Sequence, residues 1–278
     1  MSCCCPGATR VAVPAEGDSR CANWQPSAVA NRVVLVTGAS RGIGAAIARE
    51  FAAAGDRVAL HYGRSREAAE TLVGSLPGGP HVAVGADLAD AVAVQAMVDK
   101  AAADLGGLEV LVNNAGIYVE HSIVSTSYEE WRQAWEQTLA VDLVGAANVT
   151  WCAVRHMLER SSGRIVNVSS RGAYRGEPRA PAYGAAKAAL IAFSNSLARA
   201  LGPHRIAVAT VVPGWTETDM AVKSLAGTSG DEIRAESPLG RVATPADVAS
   251  AVLYLASPEA EFTSGTTIDV NGASYLRL

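Results

Sequence analysis

Val33-Val34-Leu35-Val36-Thr37 runs straight into Gly38-Ala39-Ser40-Arg41-Gly42-Ile43-Gly44, and an amphipathic segment rich in small residues follows as far as Ala54. The first part is β-branched and apolar on both faces, the pattern of a strand covered on two sides in a parallel sheet. The second part places glycines where the strand hands over to a helix. Glycine lets the backbone come close to a ligand, and amide hydrogens with the positive end of a helix favour a phosphate there. An isolated glycine pattern is weak evidence, but a first strand–helix junction is the context that supports a nucleotide site.

The same alternation continues from Asn31 onward. Expected strands are Val33–Thr37, Arg57–Tyr62, His81–Ala86, Val110–Asn113, Arg164–Ser169, Ile206–Val212 and Thr266–Val270. Between them lie helical segments at Ile43–Ala54, Arg66–Leu76, Ala91–Leu105, one long stretch Tyr128–Arg160, a helix carrying Tyr183 and Lys187, and Pro245–Ala256. Apolar strands separated by helices predict an α/β fold: a single Rossmann-type doubly wound domain over 31–278, its parallel seven-stranded sheet flanked by helices. Ligands of such folds bind at the carboxyl ends of the strands. Ser170 and Pro213-Gly214 fall at such ends, and Ala221–Pro238, containing Gly227 and Gly230, reads as a mobile lid.

The 278 residues carry a net charge of only −4 and no long basic run, so nucleic acid and membrane surfaces are not expected partners. No apolar stretch approaches the roughly 20 residues that span a bilayer. Four of the five cysteines, Cys3, Cys4, Cys5 and Cys21, sit in the first 21 residues, and the fifth is Cys152. That distribution is not a disulfide framework and fits a reducing, cytoplasmic setting. Residues 1–30 lack periodicity and are expected to be a disordered extension; metal binding, acylation and organellar import, the last opposed by Glu16 and Asp18, stay open there.

Tyr183-Gly184-Ala185-Ala186-Lys187 puts a phenol and an ammonium four residues apart, on one face if helical. A phenol ionises near about pH 10, and a neighbouring cation lowers that value. Such a tyrosine can exchange a proton with an alcohol or carbonyl. Ser170, thirteen residues ahead of Tyr183, can donate a hydrogen bond to the oxygen being reduced, with Ser169 as its rival.

In this order the motifs Thr37–Gly44, Asp87-Leu88, Asn113-Asn114-Ala115-Gly116, Ser170, Tyr183-x-x-x-Lys187 and Pro213-Gly214-Trp215-Thr216-Glu217-Thr218-Asp219 stand along the chain. Over Asn31–Asn271 the sequence resembles the short-chain dehydrogenase/reductases, in detail the branch of 3-oxoacyl-acyl-carrier-protein reductases. The resemblance implies that Tyr183 is the proton donor in reduction and that Ser170 orients the substrate oxygen. It implies that Lys187 holds the nicotinamide ribose and depresses the tyrosine's pKa. By the same token Gly38, Ser40, Arg41, Gly42, Ile43 and Gly44 cradle the cofactor phosphates. Asp87, with Leu88, meets the adenine, Asn114, Ala115 and Gly116 line its middle, and Pro213, Gly214, Thr216 and Thr218 hold the carboxamide and phosphates. Homotetramers or dimers are implied as well, and the alanine face of Ala185, Ala189 and Ala192 allows close helix packing.

One residue departs from the family. Where it usually has asparagine in a proton relay, this chain has Asp142, between Val141 and Leu143. A carboxylate only accepts where an amide also donates. Either the relay is modified, or a protonated or water-bridged Asp142 serves, or the backbone carbonyl alone matters.

At the end of the second strand, where a carboxylate would bind the ribose of NAD, stand Tyr62-Gly63-Arg64-Ser65. Arg41 and Arg64 could clasp a 2′-phosphate, so NADP(H) is expected, with NAD(H) possible. Arg171, Arg175 and Arg179 could attract an anionic substrate, and Trp215, Tyr174 and Met220 could wall the pocket. Ser161 and His204 stand where the family's carrier-docking basic residues would, although Arg160 and Arg205 adjoin them. The expectation is a reductase of a 3-oxoacyl thioester or related ketone; an alcohol or sugar dehydrogenase, and a catalytically silent nucleotide-binding sensor or structural protein, are the alternatives. No metal is expected.

Overall fold

The computed structural model describes residues 31–222 and 224–277. The readings of residues 1–30 fall outside this range. The elements are β1 (Val33–Val36), α1 (Gly42–Ala53), β2 (Arg57–Tyr62), α2 (Arg66–Ser75), β3 (Val82–Gly85), α3 (Ala91–Leu105), β4 (Val110–Asn113) and α4 (Tyr128–Leu139). After a π-helical stretch, Ala140–Gly145, come α5 (Ala146–Arg160), β5 (Gly163–Val168), α6 (Gly172–Arg175), α7 (Pro181–Leu201), β6 (Ile206–Pro213), α8 (Gly227–Ala235), α9 (Pro245–Leu255) and β7 (Thr267–Val270).

All seven strands lie in one sheet of order β3-β2-β1-β4-β5-β6-β7, and every pairing is parallel. The sheet carries an apolar core on each face. One packs α3 and α5 through Met97, Val98, Val149, Ala153 and Met157. The other packs α1 and α9 through Ile47, Phe51, Val248 and Val252. Phe51 and Ile47 are fully buried, and each contributes about 1.5–3 kcal/mol of transfer free energy. Because both faces are covered, the strands show no polar alternation, which is why the apolar runs were readable as strands.

Most boundaries fall within two residues of expectation, but two segments differ in kind. Tyr128–Arg160 is not one regular helix: α4 and α5 are joined by the π-helical turn that holds Asp142. One extra residue per turn leaves no trace in an apolar repeat, and such insertions are found mostly at functional sites. The expected lid, Ala221–Pro238, contains a helix of its own, α8. The order β3-β2-β1-β4 reverses the direction of winding at β1 and β4, and the loops after these two strands open at the crevice where the motifs gather.

Candidate active site

The loop after β1 is locked to the loop after β4. Thr37 Oγ1 accepts the backbone N–H groups of Asn114 and Ala115 at 2.9 and 3.0 Å, and Asn114 Nδ2 donates to the carbonyls of Thr37 and Gly38 at 2.9 and 3.2 Å. Gly38 has φ +64°, and a Cβ there would stand 2.8 Å from Ala115 Cα. A Cβ on Gly44 would stand 2.3 Å from the Gly38 carbonyl oxygen. Glycine is therefore required where the loop turns into α1. Ser40 is half-buried and Arg41 exposed beside it.

His61 braces this loop, a part that the sequence reading missed. Its Nδ1 accepts the Gly38 N–H at 3.1 Å, and its Nε2 lies 3.1 Å from the Ala86 carbonyl. One ring nitrogen must accept and the other donate, so the ring is the neutral Nε2–H tautomer. Burial lowers its pKa and favours that form. The signal was present as a polar residue directly after the apolar run Val58–Leu60 and still inside the strand.

Around this loop the structure brings together most of the expected cofactor positions. Tyr62 is half-buried and its ring covers Gly85, where a Cβ would come within 2.8 Å. Gly63, Arg64 and Ser65 are exposed. Arg41 meets Asp219 only loosely, at 3.6 Å, with both side chains more than 70% exposed. Arg64 has no ion pair among the described residues. Asp87 is exposed and accepts the Ala89 N–H, whereas the Leu88 side chain is 5% exposed and belongs to the core, so that side chain is not available as a contact. From the loop after β6, Thr218 Cγ2 lies 3.3 Å from where a Cβ on Gly42 would be, so this loop packs over the phosphate turn. Thr216 is buried and donates to the Gly214 carbonyl, whose own amide donates to Val270.

Tyr183, Ser170, Lys187 and Asp142 converge from α7, the end of β5 and the π-turn. Pro181 starts α7, which places Tyr183 in its first turn and Lys187 one turn on. Lys187 Nζ lies 5.5 Å from the Tyr183 ring centroid, 3.4 Å from the Val168 carbonyl and 3.6 Å from Asp142 Oδ2. Asp142 Oδ1 accepts the Ile117 N–H at 2.8 Å, while the buried Oδ2 has no hydrogen-bond partner. Gly116 leaves the room for this pair: a Cβ there would be 3.0 Å from both Asp142 Oδ2 and Lys187 Nζ.

The net effect of these neighbours on the Tyr183 phenol is upward, where the spacing to Lys187 had implied a lowering. Burial, then the Asp142 carboxylate, push the phenol well above its ordinary value; the hydrogen bond with Ser170 opposes them and Glu177 adds to them. Burial also raises the Asp142 carboxyl, against Lys187 and the Ile117 amide. Ser169 is excluded as the reacting serine, because its buried hydroxyl donates to the Lys187 carbonyl at 2.8 Å.

The arginines and aromatics expected to shape the pocket are otherwise engaged. Arg171 is buried against Glu236 at 2.7 Å and Ser274 at 3.0 Å, Arg175 reaches the same Glu236, and Arg179 pairs with Glu120. The Arg171 guanidinium covers Trp215 and that of Arg277 covers Tyr174, while Met220 is 58% exposed. The aromatic ring beside Tyr183 is instead Tyr118, edge-on with centroids 5.2 Å apart.

A family model described as Enoyl-(Acyl carrier protein) reductase matches residues 38–273. The 3-oxoacyl-[acyl-carrier-protein] reductase FabG of Staphylococcus aureus (strain N315) is 37% identical over 244 residues, spanning 87% of this chain and 97% of that relative. The chain belongs to the short-chain dehydrogenase/reductase family. Nodulation protein G of Rhizobium sp. (strain N33) is 42% identical over 242 residues, 87% of this chain and 96% of its own. Among solved structures, a short chain dehydrogenase from Burkholderia cenocepacia J2315 in complex with NADP superimposes with TM-score 0.78 at 36% identity, covering 88% of this chain and 98% of that one. A dehydrogenase/reductase from Sinorhizobium meliloti 1021 gives TM-score 0.81 at 34% identity, with 89% and 96% covered. As a short-chain dehydrogenase/reductase the protein is an oxidoreductase acting on CH–OH and C=O groups. Among the described residues no helix is long and apolar enough to cross a membrane.

Proposed function

We propose that the protein is an NADPH-dependent carbonyl reductase that converts a 3-oxoacyl thioester or related ketone to the alcohol. The observation that carries this reading is the convergence of Tyr183 and buried Lys187 from one face of α7 with Ser170 at the end of β5, Lys187 Nζ lying 5.5 Å from the Tyr183 ring centroid. Reduction is preferred to the alcohol or sugar dehydrogenase reading because a 37% identical relative is named as a 3-oxoacyl reductase. The tight glycine turn, the exposed Arg64 and the loosely paired Arg41 fit a phosphorylated nucleotide, and no carboxylate stands at Tyr62 to repel a 2′-phosphate. A relative solved with NADP agrees with that preference.

Gly38, Ser40, Arg41, Gly42, Ile43 and Gly44 would hold the phosphates, Arg41 and Arg64 the 2′-phosphate, and Lys187 the ribose beside the nicotinamide. Bound NADPH supplies the hydride. Ser170 donates a hydrogen bond to the carbonyl oxygen, which polarises it and fixes it at Tyr183. Tyr183 then gives its proton to the oxygen as negative charge develops there, and the Asp142 carboxylate favours the protonated phenol beforehand. For carrier-protein docking there is little support, since Arg160 is taken up by Glu109 and the Gly106 carbonyl. A homo-oligomer is proposed from the exposed Ala185 and Ala192 on α7 and the half-exposed Val144 and Trp151 beside it in sequence order on the π-turn and α5.

The reading is tested by following NADPH and NADH oxidation over a panel of 3-oxoacyl thioesters, diketones and aldehydes, and NADP+ and NAD+ reduction over alcohols and sugars. Turnover that prefers NADPH supports it. Turnover of alcohols alone, or of nothing, moves the assignment to the oxidative enzyme or the silent binding protein.

A further inference from the structure

Glu177 stands out among the charged groups near the site because it is half-buried without an ion pair: burial raises its carboxyl, and the charges of Arg171 and Arg175 oppose this only from beyond ion-pair distance. It is half-buried on the loop between Ser170 and Tyr183, and among the described residues no cation lies within ion-pair distance of it. The neighbouring arginines all pair elsewhere, with Glu236 and Glu120. Among the described residues the only hydrogen-bond donor to its carboxylate is the Tyr118 hydroxyl, 3.5 Å from Oε2, at the long limit for such a bond.

The position is built rather than incidental. Gly172 makes space for the side chain: a Cβ there would come 2.4 Å from Glu177 Oε1 and 2.6 Å from its Cγ. Gly184, the residue after the catalytic tyrosine, would place a Cβ 3.5 Å from Glu177 Cβ. Two glycines thus seat the carboxylate between α6 and α7, close enough to Tyr183 for its charge to act on the phenol. Tyr118 joins the two, edge-on to Tyr183 and hydroxyl toward Glu177. Burial pushes the Tyr118 phenol up to about 12, so it remains a donor.

We propose that Glu177 is the substrate-selecting residue of this site, accepting a hydrogen bond or ion pair from a hydroxyl or ammonium group next to the reacting carbonyl and repelling a carboxylate there. The inference rests on the reading of Ser170 and Tyr183 as the reacting pair. In this proposal a group next to the reacting carbonyl faces the side of Tyr183 where Tyr118 packs edge-on and turns its hydroxyl to Glu177. There it meets an acceptor whose protein donor is already stretched. The substrate class is a small, free, hydroxylated or aminated ketone or aldehyde. Anionic oxo acids are excluded by like charge.

The test uses three ketones on one carbon skeleton, hydroxyacetone, aminoacetone as its ammonium form, and pyruvate, with the full-length protein and NADPH. Their intrinsic reactivities differ, so each is compared between wild type and Glu177→Gln, which keeps shape and removes charge. The variant is expected to lose about tenfold or more in kcat/KM for the hydroxyl and ammonium substrates, through KM, and to gain on pyruvate. NADPH affinity by fluorescence titration stays the same. Tyr118→Phe, which leaves the carboxylate in place, keeps the discrimination against pyruvate. Equal changes on all three ketones, or selectivity relaxed by Tyr118→Phe and not by Glu177→Gln, would overturn the assignment while leaving the reductase standing. No turnover of any carbonyl by wild type would bring down the reductase reading, and this inference with it.

Discussion

Lys187 Nζ lies 3.6 Å from Asp142 Oδ2, and both side chains are at least 96% buried. The ammonium that the Tyr-x-x-x-Lys spacing assigns to the phenol is shared with a carboxylate. That carboxylate acts on Tyr183 too, and in the raising direction. Reduction needs the protonated phenol, so activity is present below the tyrosine's pKa and lost above it. Asp142→Asn removes the second largest cause of the elevation, so the alkaline limb of kcat/KM for reduction should move to lower pH. A profile recorded for both proteins checks this. An unmoved limb would mean that Asp142 and Tyr183 are not coupled.

The same pair makes stability depend on pH. Burial raises the folded pKa of Asp142, so between the unfolded value, about 3.9, and its elevated folded value the native state binds more protons than the unfolded chain. The sign follows: this contribution is fully present below the unfolded value and is lost as pH rises through the folded one. Relative to Asp142→Asn, wild type should therefore gain melting temperature as pH falls from neutral toward about 5. Parallel curves for the two proteins would show that the carboxyl titrates normally.

Tyr183→Phe takes away the proton and leaves the ring that packs against Tyr118 and lies over Lys187. The expected loss in kcat is about 10²–10⁴-fold, with NADPH affinity by fluorescence titration changed by less than about threefold. Near-normal turnover would assign the acid elsewhere.

How much of this was legible in the sequence follows from what each residue depends on. The sheet was readable because Val33–Val36, Val110–Val112 and Ile165–Val166 are buried by their own apolar character on both faces. The glycine loop was readable because only glycine satisfies Gly38 and Gly44. Asp142 was seen as a departure, yet neither the π-turn that buries it nor its hold on Lys187 was, since both arise from a packing of α4, α5 and α7 that no local pattern encodes. For the same reason Arg171 looked free: its partners Glu236 and Ser274 are 65 and 103 residues away. Glu177 was passed over because a lone acidic residue in a loop ordinarily means solvent, and only the two glycines around it show otherwise.

In the proposed reading cofactor choice depends on Arg41 and Arg64, two arginines that the fold itself hardly uses. Arg41 and Asp219 are 73% and 71% exposed at 3.6 Å, a geometry worth about 0–1 kcal/mol, and Arg64 has no ion pair among the described residues. Replacing both by alanine should leave the melting temperature unchanged. A 2′-phosphate would lose its charge-assisted hydrogen bonds, about 1.5–3 kcal/mol each, so NADPH affinity should fall by about a hundredfold or more. NADH, which offers hydroxyls there, should lose less than about threefold, because the amides of the loop and the His61 bond to Gly38 stay in place. Titration of the double variant with both nucleotides decides the matter: equal losses would mean that the substitutions had damaged the loop, and that discrimination lies with Tyr62 or Ser65 instead.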